Sequence, residues 1–238
     1  MIYVNGDSHS AGADIIPGIC FAQDDHRYLV YGCRAHPEAV VQTYGYYIAQ
    51  MFNQGFFCEA ESGSSNARIL RTTKQYIDST KNKNNIGWII IGWTSWEREE
   101  WKHGEDYIQI TASGTDSVPE SMQEEYKEWV VNQTYETLES KRVYWQEQIK
   151  NFSEELTQQN INHIFFNTSE YTEYLLKNGY KCVGNSNHFD ASGHKAWGMH
   201  LSKTIKNYYL NDNTQSLTQP SKRSIITQVK QEFKGLKR

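Results

Sequence analysis

Short apolar runs alternate along the chain with longer segments in which apolar residues recur every three or four positions. The runs are typical of buried strands, and the longer segments are typical of helices that bury one face. Strand candidates lie at residues 2–4, 56–58, 86–91 and 161–166, and helix candidates at about 37–53, 67–77, 130–159 and 189–201. Because strands and helices alternate, the pattern predicts an α/β fold with a parallel sheet covered by helices on both faces.

Two of the strand candidates, Ile2–Val4 and Ile86–Ile91, are apolar on both faces. A strand of this kind belongs in the middle of a parallel sheet, so we expect both to be central and mutually parallel in a sheet of about five strands. Ser64 or Ser65 stands where it can cap the helix that starts near Ala67.

The remaining segments are more polar. Residues 93 to about 130 form an acidic, tryptophan-rich insertion with one short strand candidate at Tyr107–Ile110, and a loop is expected from the fourth strand to Asn187. Polar residues from 211 onward predict a linker, and a basic amphipathic helix is expected after it. We therefore predict one domain over residues 1–210, with a linker and tail over residues 211–238.

Charge is distributed unevenly along the chain. The formal net charge is −4, which gives no general attraction to nucleic acid. Residues 93–139 carry twelve acidic and three basic side chains, whereas residues 220–238 carry six basic and one acidic. The tail is expected to dock on a protein partner or on the acidic insertion rather than on a membrane, because its apolar face is short.

The cysteines and the N-terminus indicate a compartment. The four cysteines form no C-x-x-C pair, which favours free thiols in a reducing environment. The N-terminus lacks the basic start and apolar run of a signal peptide, and the longest apolar stretch is too short to span a bilayer. We expect a cytoplasmic protein.

Small polar turns follow three of the predicted strands, and they read Gly6-Asp7-Ser8, Gly63-Ser64-Ser65-Asn66 and Gly92-Trp93-Thr94-Ser95. Because ligands of open parallel sheets bind beyond the carboxyl ends of the strands, these turns are expected to meet at one site. Near the C-terminus, Asp190 and His194 are four residues apart and would share a helix face. A carboxylate beside an imidazole prepares it to take a proton from a serine hydroxyl, so the predicted catalytic residues are Ser8, His194 and Asp190.

These blocks resemble those of the SGNH hydrolases, a GDSL-like esterase family. The family carries Gly-Asp-Ser after the first strand, a glycine after the second, Gly-x-Asn-Asp after the third and Asp-x-x-His near the C-terminus. The likeness rests on Gly6-Asp7-Ser8, Gly63 and the final block, over about residues 1–205. It implies a flavodoxin-like three-layer α/β/α sandwich that hydrolyses acyl or acetyl esters without metal or cofactor. It also implies Ser8 as the nucleophile, His194 as the base, and the backbone N–H groups of Ser8 and Gly63 as oxyanion donors.

Two blocks depart from the family pattern. Asp190 lies four residues before His194, where the family has three. Thr94 stands where the family has the Asn whose amide donates to the oxyanion, and losing one such donor costs about 10²–10³ in rate. The replacement donor stays open among Thr94, Ser95, Asn66 and Arg98. Trp93 and Trp96 follow the third strand, and each is either a core residue or part of an aromatic rim that stacks on a sugar.

Three functions from different classes remain open. The first is a serine esterase that removes acyl groups from a carbohydrate or another small ester. The second is a non-catalytic binding module on the same fold, which the missing Asn suggests. The third is a structural or assembly role in a virion, by analogy with SGNH-like proteins of tailed bacteriophages, with the basic tail as the working part. No metal is predicted because the spacing of His188, Asp190, His194 and His200 matches no metal-binding helix pair, and His9 is interpreted as a bystander.

Overall fold

A computed structural model describes residues 1–16, 35–112, 114, 118–215 and 225–226 of the chain. Its α-helices and β-strands, in chain order, are β1 (Ile2–Asn5), α1 (Ser8–Ala11), α2 (Pro37–Val40), α3 (Tyr44–Met51), β2 (Phe56–Cys58), α4 (Asn66–Ser79), β3 (Trp88–Trp93), β4 (Glu99–His103), β5 (Asp106–Ile110), α5 (Gln123–Val131), α6 (Tyr135–Gln158), β6 (His163–Asn167), α7 (Thr168–Lys177), α8 (Ala191–Gln215) and β7 (Ile225–Ile226).

The main sheet is parallel throughout and has the order β2-β1-β3-β6-β7. Ile2 pairs with Phe56 on one side and with Trp88 on the other, so β1 lies between β2 and β3. The prediction that β1 and β3 are central and parallel is confirmed. The fifth strand, β7, is only two residues long and sits at the edge beside β6. The order reverses between β1 and β3, which is where doubly wound sheets open a crevice for ligands.

Helices cover both faces of the sheet, as the alternation of strands and helices predicted. Alternate residues of β1 point to opposite faces: Ile2 and Val4 pack with α3, α7 and α8, whereas Tyr3 packs with α4 and α6. Every residue of β1 and β3 is buried. This arrangement is compatible with a three-layer α/β/α fold.

The acidic insertion forms a small unit of its own. Strands β4 and β5 make an antiparallel hairpin that packs with α5 around Ile110, Tyr126 and Trp129. The strand candidate at Tyr107–Ile110 is confirmed as part of this hairpin. A bidentate ion pair between Arg71 of α4 and Glu100 of β4 ties the hairpin to the main layers.

Three local predictions differ from the structure. The helix expected over about residues 37–53 is split into α2 and α3, because the chain turns at residues 41–43. The loop expected after β6 begins with α7, which buries only Tyr171 and Leu175 and therefore gives a weak periodic signal. Helix α8 continues to Gln215, past the linker start expected at 211.

The tail is described at two residues only. Ile225 and Ile226, expected on an amphipathic helix, instead form β7. The docking predicted for the rest of the tail lies outside the described residues. Among the described helices, none is long and apolar enough to cross a membrane.

The N-terminal cap predicted for α4 is present. The Ser65 side chain accepts a hydrogen bond from the backbone N–H of Arg68, which satisfies one of the unpaired donors of the first turn. The cap fixes where the turn after β2 ends, and that turn carries Gly63 toward the carboxyl edge of the sheet.

Candidate active site

The turn after β1 presents Ser8 at the first position of α1. Gly6 has φ of 156°, and a Cβ there would lie 2.9 Å from the Gly92 carbonyl of β3, so only glycine lets the two turns approach this closely. Asp7 caps α1 by accepting from the His9 N–H. Ser8 is thus held by a fixed turn at the carboxyl end of a central strand.

The Ser8 hydroxyl is hydrogen-bonded to His188. The distance from Ser8 Oγ to His188 Nε2 is 2.8 Å, and the distance from His188 Nδ1 to Asp14 Oδ2 is 2.7 Å. An ionised Asp14 can only accept, so the Nδ1–H donates to it and Nε2 is left to accept from the serine hydroxyl. Both distances lie within the range of a serine–base–carboxylate chain.

His188 is held by a short closed loop before α8. An antiparallel bridge joins Cys182 to Phe189, and the Val183 N–H donates to the His188 carbonyl at 2.8 Å. The His188 N–H donates in turn to Ser186 Oγ. Phe189 is buried in the core, so the bridge anchors the loop next to the sheet.

Asp14 comes from the turn that follows α1. Gly12 ends α1 in the left-handed region with φ of 78°, and Asp14 has φ of 61°. Aspartate tolerates this region better than most residues. The acid therefore lies six residues after Ser8 in sequence and faces a histidine 174 positions away.

The predicted chain of Ser8, His194 and Asp190 is not formed. His194 is fully buried, and its Nδ1 accepts from the Tyr44 N–H at 3.4 Å instead of facing Ser8. Asp190 is exposed and accepts from the N–H groups of Ser192 and Gly193, which makes it a cap at the start of α8. The spacing of four residues did indicate a helix start, but the histidine that reaches Ser8 is His188.

His194 is held in its neutral form. Burial lowers the pKa of His194 to about 3, and the neighbouring imidazoles of His9 and His188 act in the same direction. Its ring stacks on Tyr44, with centroids 6.0 Å apart, and its Nε2 has no hydrogen-bond partner among the described residues. These are the surroundings of a core residue.

Asp7 is a buried carboxylate that joins the turns after three strands. It accepts from Thr94 Oγ1 at 2.7 Å and from Arg98 Nη1 at 3.2 Å, both from the segment after β3, and from Thr168 Oγ1 at 3.4 Å at the start of α7. Burial opposes its charge, but hydrogen bonds from His9 and Thr94 and the charge of Arg98 outweigh burial and hold the pKa of Asp7 well below its usual value.

The four candidates for the third oxyanion donor are engaged to different degrees. The Thr94 hydroxyl is committed to Asp7, and the Asn66 side chain makes a reciprocal pair with the Thr94 backbone, at 2.9 and 3.2 Å. Ser95 is exposed at the wall of the adjacent cleft. Among the described residues, Arg98 donates from Nη1 alone, to Asp7 and to the Ser64 carbonyl. Gly63 has φ of 78°, and no described residue lies within 4 Å of where its Cβ would be.

A cleft of about 670 Å³ opens beyond the carboxyl ends of β1, β3 and β6. Its wall does not include Ser8 itself but includes His9 and Asn187, the neighbours of Ser8 and His188 in sequence. Trp96 lines it as expected. Trp93 does not, because its side chain is 2% exposed and packs edge-to-face on Phe165; of its two predicted roles, the structure gives core packing and corrects its place among the substrate-binding candidates.

His9 is more than a bystander. Its Nδ1 lies 3.3 Å from Asp7 Oδ1, its Nε2 lies 3.3 Å from the Asn187 carbonyl, and its ring centroid is 4.8 Å from that of His188. His9 therefore links the turn that carries Ser8 to the loop that carries His188.

Among the described residues, no group of three or more His, Cys, Asp or Glu side chains is arranged to hold a metal ion. Comparison with protein-family models, with curated proteins and with solved structures finds no match to this chain. The functional interpretation therefore depends on the geometry of the site.

Proposed function

We propose that the protein is a serine hydrolase acting on esters, with Ser8 as nucleophile, His188 as general base and Asp14 as the orienting acid. The observation that carries this proposal is the pair of short contacts, 2.8 Å from Ser8 to His188 and 2.7 Å from His188 to Asp14. A serine hydroxyl is a weak nucleophile by itself, and a base within hydrogen-bond reach that is oriented by a carboxylate activates it.

The proposed reaction has two halves. Ser8 Oγ attacks the ester carbonyl while His188 Nε2 takes the hydroxyl proton, and Asp14 stabilises the imidazolium that results. His188 then returns the proton to the departing alcohol, which leaves the acyl group on Ser8. His188 then takes a proton from a water molecule that attacks the acyl carbonyl. It returns this proton to Ser8 Oγ as the bond between Oγ and the acyl carbon breaks, which releases the carboxylic acid and free Ser8. The N–H groups of Ser8 and Gly63 are the proposed donors to the oxyanion in both halves.

The resemblance to the SGNH hydrolases supports the proposal at Gly6-Asp7-Ser8 and Gly63, but not at the final block. With His188 as the histidine of the final block, the position three residues earlier is Asn185 rather than an aspartate. The carboxylate contact of His188 comes from Asp14 instead. The proposal is thus an SGNH-like hydrolase whose acid has moved from the last block to the turn after α1.

Labelling with an alkyl fluorophosphonate tests this function directly. We expect one adduct per chain by intact mass, mapped to Ser8, and no adduct with Ser8→Ala. Wild type should also hydrolyse 4-nitrophenyl acetate faster than Ser8→Ala does. Equal turnover by the two proteins, together with no adduct at Ser8, would overturn the proposal.

A non-catalytic binding module is the second candidate, and one contact favours it. The Thr94 hydroxyl donates to Asp7 and is therefore not available to an oxyanion, so the amide lost from this position has no substitute at the same residue. A folded protein that stays unlabelled by the fluorophosphonate would favour this candidate over the hydrolase.

A further inference from the structure

The guanidinium of Arg98 has one nitrogen engaged, and its other two nitrogens have no hydrogen-bond partner among the described residues. Its Nη1 donates to Asp7 at 3.2 Å and to the Ser64 carbonyl at 3.4 Å. Within the part of the chain that the structure describes, its Nε is shielded from solvent and has no partner, and its Nη2 makes no hydrogen bond. Because Nη1 fixes the plane of the group, the Nε–Nη2 edge is held in one orientation.

Two other arginines of this protein show what the same edge binds when it is occupied. Arg71 donates from Nε at 2.9 Å and from Nη2 at 2.7 Å to the two carboxylate oxygens of Glu100. Arg142 uses the same two nitrogens on Glu139. The spacing of the two N–H groups matches that of two carboxylate oxygens, so the edge favours a planar carboxylate over a single oxygen.

Neither of the two carboxylates that line the cleft fills the unpaired edge of Arg98. Two acidic residues line the cleft: Asp7 is already bound by several donors, and Glu173 pairs with Lys177 at 2.7 Å. Much of the remaining lining carries hydroxyls or amides, and it includes the first residues of α7, whose N-terminal end bears partial positive charge. Arg98 lines the cleft and its side chain is 21% exposed, so a ligand can reach Nη2 directly, whereas it reaches the shielded Nε only by displacing the groups that cover that atom.

We propose that the Nε–Nη2 edge of Arg98 is a subsite for a carboxylate of the substrate, so that the ester cleaved at Ser8 belongs to a molecule that also bears a carboxylate. The identity of that molecule as an ester rests on the proposed function, whereas carboxylate binding at Arg98 does not require turnover. His9 and Asn187 line the same cleft, so a molecule anchored at Arg98 extends toward the triad.

The test compares matched probes on Ser8→Ala and on active protein. Binding of butyrate and of its neutral isostere butyramide to Ser8→Ala is measured by NMR titration, with Arg98→Met, Arg98→Lys and Thr94→Val added singly. On active protein, hydrolysis of 4-nitrophenyl hemiglutarate is compared with that of 4-nitrophenyl butyrate. Thr94→Val is the matched control, because it removes another hydrogen bond to Asp7 and leaves the unpaired edge of Arg98 intact.

We expect Ser8→Ala to bind butyrate more tightly than butyramide, and this preference should fall roughly 10- to 100-fold when Arg98→Met is added. Arg98→Lys should keep only part of the preference, because lysine lacks the paired N–H groups of a guanidinium. Thr94→Val should keep the preference for butyrate. On active protein, Arg98→Met should lower kcat/KM for 4-nitrophenyl hemiglutarate more than it lowers kcat/KM for 4-nitrophenyl butyrate. Equal binding of the two probes, or the same loss in Arg98→Met and Thr94→Val, would overturn the subsite and leave Arg98 as the counterion of Asp7. Fluorophosphonate labelling of Ser8 tests the hydrolase proposal by itself, so carboxylate binding at Arg98 can be judged even if Ser8 is not labelled.

Discussion

In the variant His194→Asn, the free energy of unfolding should fall less at low pH than it does in wild type. The folded state keeps His194 neutral because burial lowers its pKa to about 3, whereas the unfolded chain takes up a proton below the ordinary pKa of 6.5. The unfolded state therefore binds more protons between these values, and stability contributed by the neutral ring is complete above 6.5 and is lost as the pH falls toward 3. From about pH 7.5 to pH 5 this loss is about 2 kcal/mol for one histidine.

The assay is urea unfolding of wild type and variants at both pH values. Asn at 194 retains an oxygen that can accept from the Tyr44 N–H but cannot titrate, so the variant should lose about 2 kcal/mol less than wild type over this range. His103→Asn is the control, because it removes an exposed histidine and should follow wild type. NMR titration of wild-type His194 gives the same answer without a variant: its ring signals should not move down to about pH 4.5. Parallel stability curves, or a ring that titrates near 6.5, would refute a buried neutral His194.

Two further predictions concern the turns at the carboxyl edge. Gly6→Ala should destabilise by about 3 kcal/mol, because its Cβ would lie 2.3 Å from Ser10 Oγ and 2.9 Å from the Gly92 carbonyl oxygen. Gly63→Ala meets no described residue within 4 Å and should cost only about 1–2 kcal/mol of backbone strain. Chemical unfolding measures both losses, and equal losses would contradict the close packing around Gly6. Thr94→Val should cost about 1.5–3 kcal/mol by removing a hydrogen bond to the buried Asp7 carboxylate, and a neutral effect in the same assay would show that Asp7 does not need it.

Patterns along the chain were enough to predict the parallel sheet. Residues apolar on both faces occur only where a strand is covered on both sides, so Ile2–Val4 and Ile86–Ile91 indicated the centre of the sheet before any contact was known. Helix α7 was missed because it buries one side chain per turn, Tyr171 and Leu175, and the capping signal at Asn167 is short.

The turn that carries Ser8 could also be predicted, whereas the side chains that Ser8 and its neighbours meet could not. Ser8 follows a strand end, and a turn there is local information. Asp14 and His188 meet through a contact across 174 positions, which no spacing reveals. The Asp190–His194 pair attracted attention because its spacing suits one helix face, yet that spacing reports a capped helix start. His188 was overlooked because the residue three positions before it is Asn185, and not the aspartate of the family's final block.

The rate of fluorophosphonate labelling at Ser8 in Asp14→Asn and Asp190→Asn tests the triad most directly. Both variants replace a carboxylate by an amide of the same shape, and Asn remains a good helix cap, so Asp190→Asn should fold and react like wild type. Asp14→Asn removes the acceptor that orients His188, and its labelling should slow by about 10²- to 10⁴-fold. Equal rates in the two variants, or a slower rate in Asp190→Asn, would contradict a triad of Ser8, His188 and Asp14.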